Sequence, residues 1–244
     1  MPPLLLMTEN GRLQTLYDRV VGRYDVAVLL YYALGYRYHA YRRHAIKALH
    51  LQPGDTAIDL GCGTGVNLAA LREAVGAEGR VIGVDLTSGM LAEAQRRVEL
   101  RGWQNVRLVQ SDAAAFAYPA RTNGVLATFS ISMMPAPECV IARAAEALAP
   151  NGRFALADFR APAWWPDRIR RVAVALARPF GETEEMARRC LWEPMERYLA
   201  DVRVGHYYFG AAYVASGQAT SEDHISRRPV AQPCIQGAAE QSAT

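Results

Sequence analysis

Three glycines fall within five residues at Gly61, Gly63 and Gly65, directly behind the apolar run Thr56–Leu60 and ahead of Leu68, Leu71 and Val75 at helical spacing. This strand, glycine loop and helix unit constrains the fold more than any other stretch. Glycine adopts positive φ without strain and leaves the backbone uncovered, so a ligand can approach the chain itself. A plain strand-to-helix turn would not need so many glycines. In open parallel sheets, ligands bind beyond the carboxyl ends of the strands, and the loop stands there after its strand.

The rest of the chain supplies the pattern such a loop requires. Val81–Val84, Val106–Val109, Val125–Phe129 and Arg153–Asp158 read as further strands. Val66–Val75, Gly89–Arg101 (with Ser88 as N-cap) and Glu138–Leu148 read as the helices between them, the last ended by Pro150-Asn-Gly152. Alternating strands and helices predict a parallel sheet with helices on both faces. Trp164–Pro179 reads as another helix, with Ile169, Val172 and Leu176 at helical spacing. Val202–Tyr208 and Ala211–Ser216, joined at Phe209-Gly210, predict an antiparallel hairpin that closes the sheet. The expected architecture is α/β: a doubly wound sheet of seven strands, mostly parallel.

Composition sets the boundaries. Residues 1–52 read as a helical cap rich in tyrosine and arginine, 53–217 as the sheet domain, and 218–244, polar and without apolar periodicity, as a disordered tail. The chain is 51% apolar and 21% charged, ordinary for a globular protein, and its net charge of +3 is too small to argue for nucleic acid. No run of about 18 apolar residues is present to span a bilayer. The apolar start, Met1–Met7, is short and lacks a basic flank, so no signal peptide is expected. Cys62, Cys139, Cys190 and Cys234 show no metal-ligand spacing; four reduced thiols in a cytoplasmic protein, and no metal, are expected.

The residues around the loop narrow the ligand. A dinucleotide fingerprint places a third glycine where this chain has Val66, and no Arg or Lys lies beside the loop to meet a pyrophosphate. Asp85 ends the second strand, where a carboxylate can accept hydrogen bonds from both ribose hydroxyls and repel a 2′-phosphate. Asp112 follows the third strand and can accept from an adenine amino group. Asp59, Asp85 and Asp112, each after a successive parallel strand, are stronger together than singly, and Val66 with Asp85 and Asp112 points to an adenosyl ligand without pyrophosphate. A nicotinamide-dependent oxidoreductase is the competing enzyme class, against which Val66 and the terminal hairpin argue. A binding module that keeps the cofactor fold without catalysis is the third reading.

With these motifs in place the chain resembles the class I S-adenosylmethionine methyltransferases, and most the quinone C-methyltransferases and phospholipid N-methyltransferases. The resemblance rests on Asp59-Leu-Gly-Cys-Gly-Thr-Gly65, Val81-Ile-Gly-Val-Asp85, Gln110-Ser-Asp112-Ala, Leu148-Ala-Pro-Asn-Gly152 and the aromatic-Asp segment Tyr17 to Asp25. Asn151 replaces a glycine of the family's turn, a mild departure because Asn tolerates positive φ. The resemblance implies a Rossmann-like sheet and S-adenosylmethionine as cofactor. Gly61 and Gly63, with Cys62 and Gly65 in the same loop, would approach its methionyl part, supported by Asp59. Asp85 would hold the ribose, Leu86 and Met90 would flank the adenine, and Asp112 with the Ala113 amide would read its edge. Ser130 would lie near the methionyl end, and Tyr24 would cover the cofactor.

The acceptor is less legible. His39, His44 and His206 are the base candidates, and none is assigned as catalytic. Tyr17, Tyr24 and Trp164 are candidate substrate contacts. Two segments mix aromatic and basic residues in the manner of a membrane-surface helix: Tyr31 to Lys47, and Trp164-Trp165 with Arg168, Arg170 and Arg171. Either these helices simply cap the sheet, with the tyrosines lining a pocket, or they suggest a hydrophobic or lipid-linked acceptor, such as a phospholipid amine or a quinone precursor, and a cytoplasmic protein peripheral at the membrane. A soluble small metabolite is the alternative, and the oligomeric state is open.

Overall fold

Residues 37–177 and 183–219 are described by the computed structural model. Among them, seven strands form one sheet: β1 (Thr56–Leu60), β2 (Arg80–Asp85), β3 (Val106–Gln110), β4 (Thr122–Thr128), β5 (Leu148–Phe159), β6 (Ala200–Tyr207) and β7 (Ala212–Gln218). Their order is β3-β2-β1-β4-β5-β7-β6. The first five are parallel, and β7 then runs antiparallel to both β5 and β6. The chain steps outward from β1 to β2 and β3, then returns to β4 on the other side of β1. That reversal opens a crevice at the carboxyl ends of β1 and β4.

Helices α1 (Tyr38–Ala48), α2 (Leu68–Val75), α3 (Ser88–Leu100), α4 (Pro137–Ala147), α5 (Asp167–Ala177) and α6 (Trp192–Tyr198) complete the described elements. The parallel strands read as near-continuous apolar runs because both faces are covered. Successive side chains alternate between two cores. Ile58, Leu60, Val125 and Leu156 pack with Val140 and Ile141 of α4. Ala57, Val81, Leu126 and Ala155 pack with Leu68, Leu71 and Val75 of α2 and with Tyr41, Ala45 and Leu49 of α1.

Several boundaries differ from the sequence reading. Helix α2 starts at Leu68 rather than Val66, because Gly61, Gly63 and Gly65 hold φ of 63°, 54° and 80°, which delays helical geometry. Ser88 is not the N-cap of α3 but its first residue; extended Thr87 occupies the cap position. Helix α4 starts at Pro137, a residue suited to a first turn, and ends at Ala147. Leu148 already pairs with Thr122, and the register shifts before Gly124 and Arg153 pair. Asn151 holds φ 65°, the left-handed conformation expected of it. Helix α5 starts only at Asp167, since Pro162 and Pro166 disfavour helical geometry in the residues before them. Strand β7 runs through Gln218; the remainder of the expected tail, and most of the expected cap, lie outside the described residues. Cys62 and Cys190 are free thiols; Cys234 lies outside the described residues.

Candidate active site

The three loop glycines serve three different purposes. A Cβ on Gly61 would stand 2.4 Å from Ser130 Cβ, so glycine lets the segment after β4 close against the loop. A Cβ on Gly65 would meet Leu68 Cδ1 at 2.7 Å and Ala94 Cβ at 3.1 Å, so glycine lets α3 pack close. Gly63 has nothing within 4 Å of that position. Its backbone therefore faces open space, a cradle that a side chain would fill.

That space is a cavity of about 920 Å³, counting the part open to solvent. It brings together Gly61, Cys62, Gly63, Asp85, Leu86, Met90, Asp112, Ala113 and Ser130, all expected from the sequence, at the carboxyl ends of β1, β2, β3 and β4. Asp85 accepts hydrogen bonds from the Gly63 amide (2.8 Å) and the Thr87 amide (2.9 Å), so its carboxylate ties the glycine loop to the start of α3. Burial raises the Asp85 pKa, opposed by those amides. Asp112 accepts from the Ala114 amide at 2.8 Å, which fixes the turn after β3. Ser130 Oγ donates to the Leu60 carbonyl at 2.9 Å.

Asp59 and Gly65 do not line the cavity. Asp59 lies fully buried beneath the loop, where Asn67 Nδ2 donates to both of its oxygens at 3.0 and 3.1 Å. Asn67 Oδ1 accepts from Arg42 Nη1 at 2.9 Å, and Thr128 Oγ1 accepts from Asn67 and from Arg42. Arg42 also donates to Tyr38 Oη and lies over the Tyr38 ring, 4.3 Å from its centroid. Burial pushes Asp59 up to about 7; Asn67 and Arg42 pull it down, and Asp85 adds to the rise. Burial also pushes the Cys62 thiol up, which suits a packing residue rather than a nucleophile.

Arg42, Asn67 and Thr128 were missed in the sequence, although Arg42 left a signal. Tyr38, Tyr41, Ala45, Ile46 and Leu49 recur at helical spacing and are buried, and Arg42 lies on that same face. A buried arginine needs partners, and it lines the cavity wall. Tyr38 and Tyr41 thus cap the sheet instead of meeting a membrane.

Phe129, Met133, Met134 and Pro135 add apolar side chains to the lining. Phe129 holds φ 55°, a strained conformation for a non-glycine residue, and its ring lies against Tyr38 (centroids 4.3 Å, 19°) and Phe159 (4.4 Å, 36°). The 3₁₀ turn Ile131–Met133 is gripped from two sides. Asp158, buried at the end of β5, accepts from Ser132 Oγ (2.9 Å) and the Ser132 amide (3.2 Å). Arg189 donates to the carbonyls of Ser132 (2.7 Å) and Met134 (3.1 Å). Burial pushes Asp158 up to about 6, with its amide and hydroxyl donors opposing.

Trp164 does not reach the cavity and is 71% exposed. Tyr17 and Tyr24 lie outside the described residues. None of His39, His44 and His206 lines the cavity.

Residues 51–202 match the family described as "Methyltransferase domain", and the chain belongs to that family. It is 36% identical to an aklanonic acid methyltransferase of a Streptomyces strain, over 44% of this chain and 50% of that protein. It is 31% identical to a demethylmenaquinone methyltransferase of Anoxybacillus flavithermus, over 47% of this chain and 48% of that protein. The chain spans about half the length of the curated relatives it matches. In fold it is similar to an S-adenosylmethionine-dependent methyltransferase from Aquifex aeolicus, with TM-score 0.52, 17% identity, and coverage of 73% of this chain and 89% of that one.

Proposed function

We propose that the protein is an S-adenosylmethionine-dependent methyltransferase acting on a hydrophobic acceptor, of the quinone-precursor kind rather than a phospholipid amine. The cavity's mixed lining carries the reading. It joins bare backbone at Gly63 with Asp85 and Asp112 to the apolar side chains Phe129, Met133, Met134 and Pro135. The curated relatives named for methylation of demethylmenaquinone support the acceptor class.

The residues fit such a cofactor. Asp85 accepts one amide on each oxygen and keeps a lone pair on each that would accept from ribose hydroxyls. Asp112 and the Ala113 amide stand where an adenine edge would be read. Arg42 stands at the wall near Thr128 and can meet a carboxylate. The cofactor, when bound, supplies a methyl group already activated on a sulfonium. The protein's task is then placement, whose contribution in well-oriented reactions reaches effective molarities of about 10⁵–10⁸ M. The Asp158 and Arg189 contacts hold the apolar wall at fixed distance from the loop. The methionines adapt to a planar ring, since thioethers pack well against aromatic faces.

Incubation with methyl-labelled S-adenosylmethionine and either a demethylated naphthoquinone or phosphatidylethanolamine tests the reading. Label in the quinone fraction is expected. Label in the lipid amine alone would overturn the acceptor, and label in neither from a cofactor-binding protein would overturn the hydrophobic class.

A further inference from the structure

Among the described residues, five large apolar side chains are strongly exposed, and four of them, Trp164, Ile169, Val172 and Phe209, belong to one corner of the molecule. Trp165 Nε1 donates to the Phe209 carbonyl at 3.2 Å, and a Cβ on Gly210 would stand 3.7 Å from Trp164 Nε1. Helix α5 starts just beyond this pair. Its inward face packs Val174 against Ala161 and Ala187. Ile169 and Val172, three residues apart, share an outward face.

The corner lies at the functional end of the sheet. Strand β7 is antiparallel to β5 with Phe159 opposite Ala212, so the turn 208–210 and the segment leaving β5 share the carboxyl edge with the cavity. Phe209 occupies the tip of that turn at φ 53°, ψ 32°, and is 79% exposed. A left-handed phenylalanine held out in water costs the fold both strain and hydration. Large exposed apolar clusters mark surfaces that meet something.

Charge indicates what it meets. Arg168 is exposed on α5 next to Ile169, and Arg171, also exposed, stands at the border of the outward face, beside the hollow lined by Val174 and Glu184. Among the described residues, the acids nearest in sequence are already engaged: Asp167 with Arg170 at 2.5 Å, Glu184 with Arg188 at 3.7 Å and Glu185 with Arg189 at 3.0 Å. No ion pair reaches Arg168 or Arg171 among the described residues. Exposed tryptophan and aliphatic side chains bordered by arginine suit the headgroup region of an anionic bilayer.

We propose that this corner is a docking surface for an anionic lipid bilayer: Trp164, Ile169, Val172 and Phe209 enter the boundary between headgroups and acyl chains, and Arg168 and Arg171 meet lipid phosphates. The cavity edge then faces the bilayer, and an apolar acceptor dissolved there reaches Phe129 and Met133 with little passage through water. That consequence rests on the hydrophobic-acceptor reading, whereas the docking does not.

Co-sedimentation of the full chain with sucrose-loaded vesicles tests it, comparing phosphatidylcholine alone with phosphatidylcholine–phosphatidylglycerol mixtures at low and high salt. Binding is expected to the mixed vesicles and to weaken with salt. The double variant Arg168→Gln/Arg171→Gln should lose about fivefold per arginine on the anionic surface. The variant Ile169→Ser/Phe209→Ser should lose binding to both compositions. Both variants should bind S-adenosylhomocysteine as the wild type does, which separates a docking defect from misfolding. If the wild type fails to bind S-adenosylhomocysteine but still sediments with vesicles, the cofactor reading fails and the docking stands. Absence of binding to anionic vesicles at low salt, or unchanged binding in both variants, overturns the proposal. So does a self-association in vesicle-free solution that Ile169→Ser/Phe209→Ser abolishes while vesicles do not bind.

Discussion

Asp59 ties the fold to pH in a way that can be measured. Its carboxyl is fully buried and is pushed from its ordinary 3.8 up to about 7 by desolvation, against the pull of Asn67 and Arg42. At pH 5 the folded protein therefore keeps a proton that the unfolded chain has released. Folding takes up that proton, and stability from this group is present at low pH and is lost as pH rises through about 7. A proton held from 3.8 to about 7 is worth up to about 4 kcal/mol, at about 1.4 kcal/mol per pH unit. The perturbation is Asp59→Asn, which removes the titration and keeps an acceptor for Asn67. Urea unfolding of both proteins at about pH 4 to 8 yields two stability curves. Titrations not coupled to Asp59, Asp158 included, are common to both and cancel in the difference, whereas Asp85, whose charge adds to the Asp59 rise, contributes a smaller remainder. The wild type should lose up to about 4 kcal/mol more than Asp59→Asn across that range. Parallel curves would refute the burial account of Asp59, and a wild type that gains stability relative to the variant as pH rises would show Arg42 outweighing desolvation.

Asp85→Ala should weaken S-adenosylhomocysteine binding by about 1–3 kcal/mol in calorimetry, the usual loss for hydrogen bonds to a charged group, and unchanged affinity would displace the ribose from Asp85. Gly63→Val should abolish that binding, because Gly63 holds φ 54° over open space; circular dichroism should keep its sheet signal, and retained affinity would mean the ligand lies elsewhere. Arg189→Met releases the carbonyls of Ser132 and Met134, so turnover should fall more than cofactor affinity. Equal losses in both would assign Arg189 to general stability.

What the sequence disclosed divides along physical lines. Periodicity exposed all seven strands and the closing hairpin, because two covered faces impose long apolar runs and a tight turn leaves Phe209-Gly210 visible. Part of the cavity lining was legible at Gly63, Asp85 and Asp112, since their places follow successive strands. Arg42, Asn67 and Thr128 were not, because they come from α1, the start of α2 and the end of β4 and meet only in space. The grip of Asp158 and Arg189 on Ser132 is hidden for the same reason: those residues lie 26 and 57 positions from it. Ser88 failed as a cap because Thr87, held by Asp85, had already taken the extended position. The Tyr38 to Lys47 segment left two readings open, because aromatic and basic residues look alike whether they face a membrane or a sheet; burial of Tyr38 and Tyr41 decides for the sheet there. Trp164, Arg168 and Arg171 are exposed, a placement common to any solvent-facing surface.

The central claim is that the cavity around Gly63, Asp85 and Asp112 holds an adenosyl sulfonium cofactor. Calorimetry of the full chain with S-adenosylmethionine, S-adenosylhomocysteine and NAD tests it most directly. Saturable binding of the first two, lost in Gly63→Val, with NAD weaker or undetected, is the predicted result. Tighter binding of NAD, or binding of S-adenosylmethionine that survives Gly63→Val, would contradict it.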